Sequence, residues 1–206
     1  MASRFIIAGT DTDIGKTVFA AALTLALGGN YWKPVQSGIE YVDTKVVQDI
    51  TGLPEEHFFP ERYVLTEPLS PHRAAEIDGV ELDVKAITIP DSERPLVIEG
   101  AGGLMVPLTR KALQINMFKR WGLPIILCAR TGLGTLNHTL LSLEAMRSRE
   151  MNVHGIAFIG EENEDNMRTI AEISGVPVLG RLPVVGELNP KILKAAFDEN
   201  FDVGDF

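Results

Sequence analysis

A single cysteine, Cys128, is all the thiol this sequence holds. One thiol cannot form an internal disulfide, so cystine staples are excluded and a reducing cytoplasm is the expected setting. Cys128 lies in the apolar run PIILCAR and reads as a buried strand residue. Long apolar runs are also missing. No stretch approaches the ~18 uncharged apolar residues of a membrane span, so no membrane partner is expected. The opening MASRFIIAGTDTD reaches Asp11 after only a short apolar run, unlike a secretory signal. Nor is there an excess of positive charge. Nineteen Lys and Arg stand against 28 Asp and Glu, giving a net charge of −9, and the basic residues are scattered. Without a concentrated basic stripe, nucleic acid is not an expected partner. There is no repeat of useful period and no low-complexity linker.

What is present is enough for a core. With 45% hydrophobic and 23% charged residues over 206 positions, the chain is expected to form a single domain over residues 1–206. Short apolar runs alternate with helical patterns. Strands are expected at Arg4–Ala8, Tyr31–Val35, Leu96–Glu99, Pro124–Ala129, Val153–Ile159 and Val176–Leu179. Helices are expected at Lys16–Leu27, Asp43–Ile50, Leu113–Trp121, Leu136–Glu150, Glu164–Ile173 and Pro190–Phe197. The strands read as continuous apolar runs, as a sheet buried on both sides requires. The fold class is therefore α/β, three-layered, with a mostly parallel sheet and helices on both faces. Ligands in such folds bind beyond the carboxyl ends of the strands.

The strongest local signal is Gly9-Thr10-Asp11-Thr12-Asp13-Ile14-Gly15-Lys16-Thr17, between a strand and a helix. That is the context of a phosphate-binding P-loop, whose inward amides and helix N-terminus favour anionic phosphate. Lys16 is expected at the β- and γ-phosphates of a nucleoside triphosphate and Thr17 on Mg2+. The loop is one residue longer than the general pattern, with Thr10 in the usual glycine slot. Leu96–Glu99 delivers an acid to the end of a strand before Gly100-Ala101-Gly102-Gly103, which suits a second magnesium-site carboxylate. Asp43 reads as a helix N-cap that can also face the metal. Lys33, ahead of Pro34, is expected to project from a strand end toward the phosphates.

Taken together, GTDTDIGKT, YWKPVQSG, LSPHRAAE, VIEGAGGLMVPL and GTLNHTLL resemble the dethiobiotin synthetase family in order and spacing, from about Arg4 to Pro190. The resemblance implies an ATP- and Mg2+-dependent ligase of biotin synthesis. It would carboxylate 7,8-diaminononanoate with CO2 and close the ureido ring through a phosphorylated carbamate. It implies Lys33 and Lys16 as catalytic residues. Asp13, Ile14, Gly15, Lys16, Thr17 and Val18 form the implied phosphate cradle, and Thr17, Asp43 and Glu99 the magnesium positions. Gly100, Ala101 and Gly102 follow on the nucleotide side, with Ile159, Gly160, Pro183, Val184 and Val185 around the base. Thr12 and Ser37 are implied substrate contacts. A homodimer is implied, with Gly134, Thr135, Leu136 and Asn137 of one subunit opening a helix whose N-terminus holds the substrate's tail carboxylate in the other. Thr135 or Asn137 capping that helix is the alternative reading. His72 reads as packing or bonding locally at a helix start, with a catalytic role as the alternative.

Two departures from the family pattern stand out. Ile159-Gly160 replaces an adenine-reading asparagine, and an apolar residue cannot pair with the adenine edge, so base selectivity is open. Lys191 stands where an acid can occur. Other readings are a partition-type P-loop switch, or a related ring-closing or amide-forming ATP enzyme. The first often carries an early loop lysine, where this chain has Thr10 and Asp11. The second needs a glutamine-hydrolysing partner for which the chain is too short.

Overall fold

The computed structural model describes residues 2–206; Met1 lies outside the described residues. The central sheet contains β1 (Arg4–Gly9) and β2 (Asn30–Trp32). β3 (Val35–Ser37) leaves it, whereas β4 (Phe58–Phe59) returns as an edge strand, and β5 (Tyr63–Leu65) pairs with β3 instead. β6 (Leu96–Glu99) is central, and β7 (Pro107–Thr109) and β8 (Ala112–Leu113) make a separate hairpin. β9 (Ile125–Arg130), β10 (Val153–Ile159) and β11 (Val178–Leu182) complete the sheet in the spatial order β11-β10-β9-β1-β6-β2-β4. Every pairing in it is parallel.

The alternation of side chains along β1 explains the layers. Phe5 and Ile7 point into one core with Phe19, Tyr31, Val97, Ile126 and Phe197, whereas Ile6 and Ala8 point into the other with Ile98, Leu127, Phe118 and Phe158. The first core is covered by α1 (Lys16–Leu27), α2 (Asp43–Thr51) and α7 (Pro190–Asp198), which pack on one another. The second lies under α3 (Pro71–Asp78), α4 (Gln114–Trp121), α5 (Thr135–Arg147) and α6 (Glu164–Ser174). This is the expected three-layer α/β arrangement. Cys128 is fully buried in β9, as expected, and burial pushes its thiol far above the usual range.

Several boundaries differ from the sequence reading. The expected strand Tyr31–Val35 is broken at Lys33-Pro34 into β2 and β3, which belong to different sheets. Pro34 has no N–H to continue a ladder, and its carbonyl instead accepts from the amides of Arg62 and Tyr63. β11 runs three residues beyond the expected end, because its partner β10 carries it to the register Ile159↔Leu182. α5 stops at Arg147, and Glu150 sits beyond it at φ 52.

Candidate active site

The site is built where β1, β2 and β6 end side by side. The turn after β1 wraps toward α1 through two left-handed residues, Asp13 at φ 53 and Gly15 at φ 89. Lys16 folds back over this turn and donates from Nζ to the Asp11 carbonyl at 2.9 Å. Its stem lies against Gly9, where an added Cβ would sit 2.7 Å from Lys16 Cδ, so a side chain at position 9 would push the lysine out. Burial lowers the Lys16 pKa, and the neighbouring Lys33 charge adds to that, while Glu99 opposes it. From β9, Arg130 Nη2 donates to the carbonyls of Thr12 at 3.0 Å and Asp13 at 3.2 Å, tying the longer loop to the sheet.

Across the turn lies a compact ionic cluster. Lys33 Nζ is 2.6 Å from Asp43 Oδ2 and 3.1 Å from Glu99 Oε1, and it donates to the Gly100 carbonyl at 3.0 Å. Lys33 is 3% exposed and Glu99 1%. An unpaired charge at such depth costs several kcal/mol, so this cluster stands only because each charge has a partner. Burial alone would lower the Lys33 pKa, but Glu99 and Asp43 outweigh it and hold the ammonium above its ordinary value. Thr17 Oγ1, from the first turn of α1, donates to Glu99 Oε1 at 2.8 Å and lies 3.3 Å from Asp43 Oδ1. Tyr31 OH donates to the other carboxylate oxygen, Glu99 Oε2, at 2.7 Å. Burial, then the Glu99 charge, pushes the Tyr31 pKa well up, so the phenol keeps its proton.

Thr17, Asp43 and Glu99 therefore converge as one hydroxyl and two carboxylates. Among the described residues no three His, Cys, Asp or Glu side chains gather into a protein-only metal cage. An all-oxygen, partial donor set suits Mg2+, which keeps waters and phosphate oxygens in its shell, so the residues fit that ion.

Two glutamines hold the surrounding loops, and sequence reasoning missed both. Gln36 Nε2 donates to the Gly38 carbonyl at 3.0 Å, and its Oε1 accepts from the Asp43 amide, which presents Asp43 to Lys33. Gln114 accepts from the Ala101 amide at 2.7 Å and donates to the Gly103 carbonyl at 3.2 Å. The Gly100 amide is engaged by the Ile7 carbonyl. The amides of Gly100 and Ala101 thus brace the loop in this conformation, while Gly102 packs beside Thr12. Ser37, after β3, has a buried Oγ without a protein partner, an arrangement a ligand can satisfy.

Beside the turn a cavity of about 510 Å³ is lined by Asp13, Ile14, Gly15, Val18, Ile159, Gly160, Pro183, Val184 and Val185, together with Arg130 and Thr131. Nine positions expected at the phosphates or the base thus share one cavity, although they come from three distant parts of the chain. Its far wall is apolar, and the Gly160 carbonyl is occupied by Arg181 Nη1 at 2.9 Å. Lys191 lies outside the lining, exposed on α7.

The start of α5 stands apart. Gly134 caps it in the left-handed region at φ 93, and the first i−4 hydrogen bond is His138 to Gly134. The Thr135 hydroxyl turns inward to the Arg130 carbonyl and to Thr139, so it is engaged. Leu136 is half-buried, whereas Asn137 is exposed and faces a groove with Leu141 and Ile173 rather than the cavity beside the phosphate turn. His72 takes the local role: its Nδ1 is 3.0 Å from Ser70 Oγ at the start of α3.

A wholly parallel sheet whose first strand feeds a GKT turn at a helix N-terminus defines a P-loop nucleotide-binding α/β protein. The MinD protein of Pyrococcus horikoshii, in complex with Mg-ADP, superposes with a TM-score of 0.56 at 12% identity, covering 96% of this chain and 87% of that one. A plasmid partition protein of Borrelia burgdorferi bound to AMPPNP gives 0.55 at 12% identity, over 98% and 92%. These likenesses speak for the fold. A family model described as an AAA domain matches residues 3–191. Sequence relatives are far nearer. The chain is 55% identical to the ATP-dependent dethiobiotin synthetase BioD of Rhodopseudomonas palustris strain TIE-1, over all of this chain and 98% of that one. It is 55% identical to that of Brucella anthropi and 53% to that of Bradyrhizobium diazoefficiens, again over its full length. The chain belongs to the ATP-dependent dethiobiotin synthetases, which are ligases of biotin synthesis.

Proposed function

We propose that this site joins CO2 to 7,8-diaminononanoate and closes the ureido ring of dethiobiotin at the expense of ATP. One amine takes up CO2 as a carbamate. A carbamate oxygen attacks the γ-phosphorus, and the bond to the β,γ-bridging oxygen breaks, so ADP departs. The second amine attacks the carbonyl of the mixed anhydride, phosphate leaves, and the ring closes. Net, the diamine gains a carbonyl while ATP becomes ADP and phosphate.

The observation behind this reading is the position of Lys33 between Asp43 and Glu99, beside the P-loop residues Lys16 and Thr17. Carbamate and γ-phosphate are both anions, and their approach is unfavourable without fixed positive charge. Lys16 lies on the phosphate side and Lys33 between the two carboxylates, with Thr12 in the phosphate turn and Ser37 at the end of β3 as the substrate contacts. Thr17, Asp43 and Glu99 would hold Mg2+, which would supply further positive charge at the phosphates. Ile14, Gly15 and Val18 support the nucleotide, whose base has Ile159 and Pro183–Val185 as an apolar wall. With no side-chain amide there to read the base edge, this wall selects by shape.

We place the substrate at the interface of a homodimer in the cytoplasm. Its tail carboxylate meets the first turn of α5 of the other subunit, where backbone amides near Leu136 and Asn137 offer a positive dipole end. Incubation with ATP, Mg2+, bicarbonate and diaminononanoate tests the reaction, read by product mass and phosphate release. A product heavier by one carbonyl less two hydrogens, with phosphate released only when the diamine is present, is the expected result. Phosphate release indifferent to the diamine overturns the proposal in favour of a switch-type ATPase.

A further inference from the structure

Glu99 is gripped from two sides by one stretch of chain. Tyr31 lies in β2 and Lys33 just beyond its end, and both side chains reach the Glu99 carboxylate. Lys33 meets Oε1, the oxygen shared with Thr17, at 3.1 Å. Tyr31 meets Oε2 at 2.7 Å, from within the core. Tyr31 lies opposite Val97 in β6, two residues before Glu99, so the strand register itself brings the phenol to the carboxylate. The tyrosine is 0% exposed, its ring packs against Phe58 at 6.3 Å between centroids, and Glu99 is the only hydrogen-bond partner of its hydroxyl among the described residues. A buried phenol could have been a phenylalanine if packing were its whole purpose. The hydroxyl instead fixes the rotation of the carboxylate, leaving Oε1 as the oxygen turned to the site.

We propose that Tyr31 is a positioning residue for the magnesium carboxylate: it orients Glu99 so that Oε1 faces Thr17 and the metal position. The proposal rests on the metal role of Glu99 put forward above. Partners in this outer position typically change metal affinity by about 10–100-fold when removed. Tyr31→Phe keeps the ring and deletes only the hydroxyl. In the ternary complex with AMPPNP, Mn2+ affinity followed by electron paramagnetic resonance is expected to fall roughly tenfold. The Mg2+ concentration for half-maximal activity should rise in parallel, while kcat at saturating Mg2+ stays near that of the unaltered protein. Phe58→Leu loosens packing on the same ring without touching the hydrogen bond, and should leave the metal midpoint unchanged. In a Glu99→Gln background, adding Tyr31→Phe should cost little further Mn2+ affinity, because the group being oriented is already altered.

Unchanged Mn2+ affinity in Tyr31→Phe, an equal loss in Phe58→Leu, or full additivity with Glu99→Gln each overturns the positioning role. If Glu99→Gln itself binds Mn2+ normally, the metal assignment of Glu99 fails, which separates that failure from one of Tyr31 alone. Should Tyr31→Phe prove too unstable to purify, Phe58→Leu remains as a readout: a weakened Mn2+ signal in Phe58→Leu overturns the role, and an unaltered one supports it.

Discussion

At the residue scale, Lys33 occupies the place of a cation between two carboxylates. Replacing it by glutamine removes the charge proposed to bring two anions together, and the expected loss of kcat is on the order of 10²–10³, the size seen when one preorganised group at a developing charge is deleted. ATP affinity, which rests on the phosphate turn, should change little. The same variant leaves Asp43 and Glu99 without their lysine, so Mg2+ should stabilise Lys33→Gln against heat more than it stabilises the parent. Calorimetric unfolding with and without Mg2+ reads this directly, and an equal Mg2+ shift in both proteins would contradict the shared-site geometry. Gly15 gives a second residue-scale expectation. Its φ of 89 is left-handed and a Cβ would sit 2.8 Å from Ile159 Cγ2. Gly15→Ala should therefore lose about 1–2 kcal/mol of stability by denaturant titration, with weaker nucleotide binding.

At the element scale, α3 is tied to the turn between β7 and β8 by Arg110, whose Nε and Nη2 reach Glu76 at 2.7 and 2.9 Å. Arg73 joins from one turn away. Hydrogen bonds from Arg110 and then Arg73 hold the Glu76 carboxyl at about 2, below its ordinary 4.5. A depressed carboxylate pKa contributes stability that is present above the unfolded value and is lost as pH falls through the folded one. Between pH 4.5 and 2 this clamp should loosen, and amide exchange in Pro71–Asp78 should rise relative to α1. The pair is exposed, so added salt should weaken it even at neutral pH. The sequence showed neither this hairpin nor β4, because strands of two or three residues carry no periodicity. It likewise showed α1 and β6 plainly but not the break at Lys33-Pro34, since whether β2 continues depends on which distant strand lies alongside.

At the scale of the whole molecule, the cavity proposed for the nucleotide is lined by one chain, whereas the expected anchor for the substrate tail is turned outward. Leu133 is 108% exposed at the foot of α5, and Leu141 and Ile173 are exposed nearby. A dimer that covers this end should sediment at twice the 22.5 kDa of the chain. Leu133→Asp should then shift the protein toward monomer and weaken diaminononanoate binding while ATP binding persists. Asn137→Ala should likewise affect the substrate more than the nucleotide in titration calorimetry, and equal effects on both would argue against the shared site.

The residues proposed to meet phosphate and metal stand out in the chain because their chemistry is local: a turn that needs glycine, a lysine and threonine opening a helix, an acid ending a buried strand. Lys33, Asp43 and Glu99 were legible as separate signals for the same reason. Their distances from one another were not, and neither were Tyr31 behind Glu99, Arg130 over the phosphate turn, or Gln36 and Gln114 bracing the loops. Each of those is an ordinary residue in its own stretch of sequence and gains a role only from the neighbour the fold brings to it. Pairing β2 with β6 brings Tyr31 to Glu99 and pairing β1 with β9 brings Arg130 to the phosphate turn, and that choice is made by the burial of the whole core rather than by any local pattern.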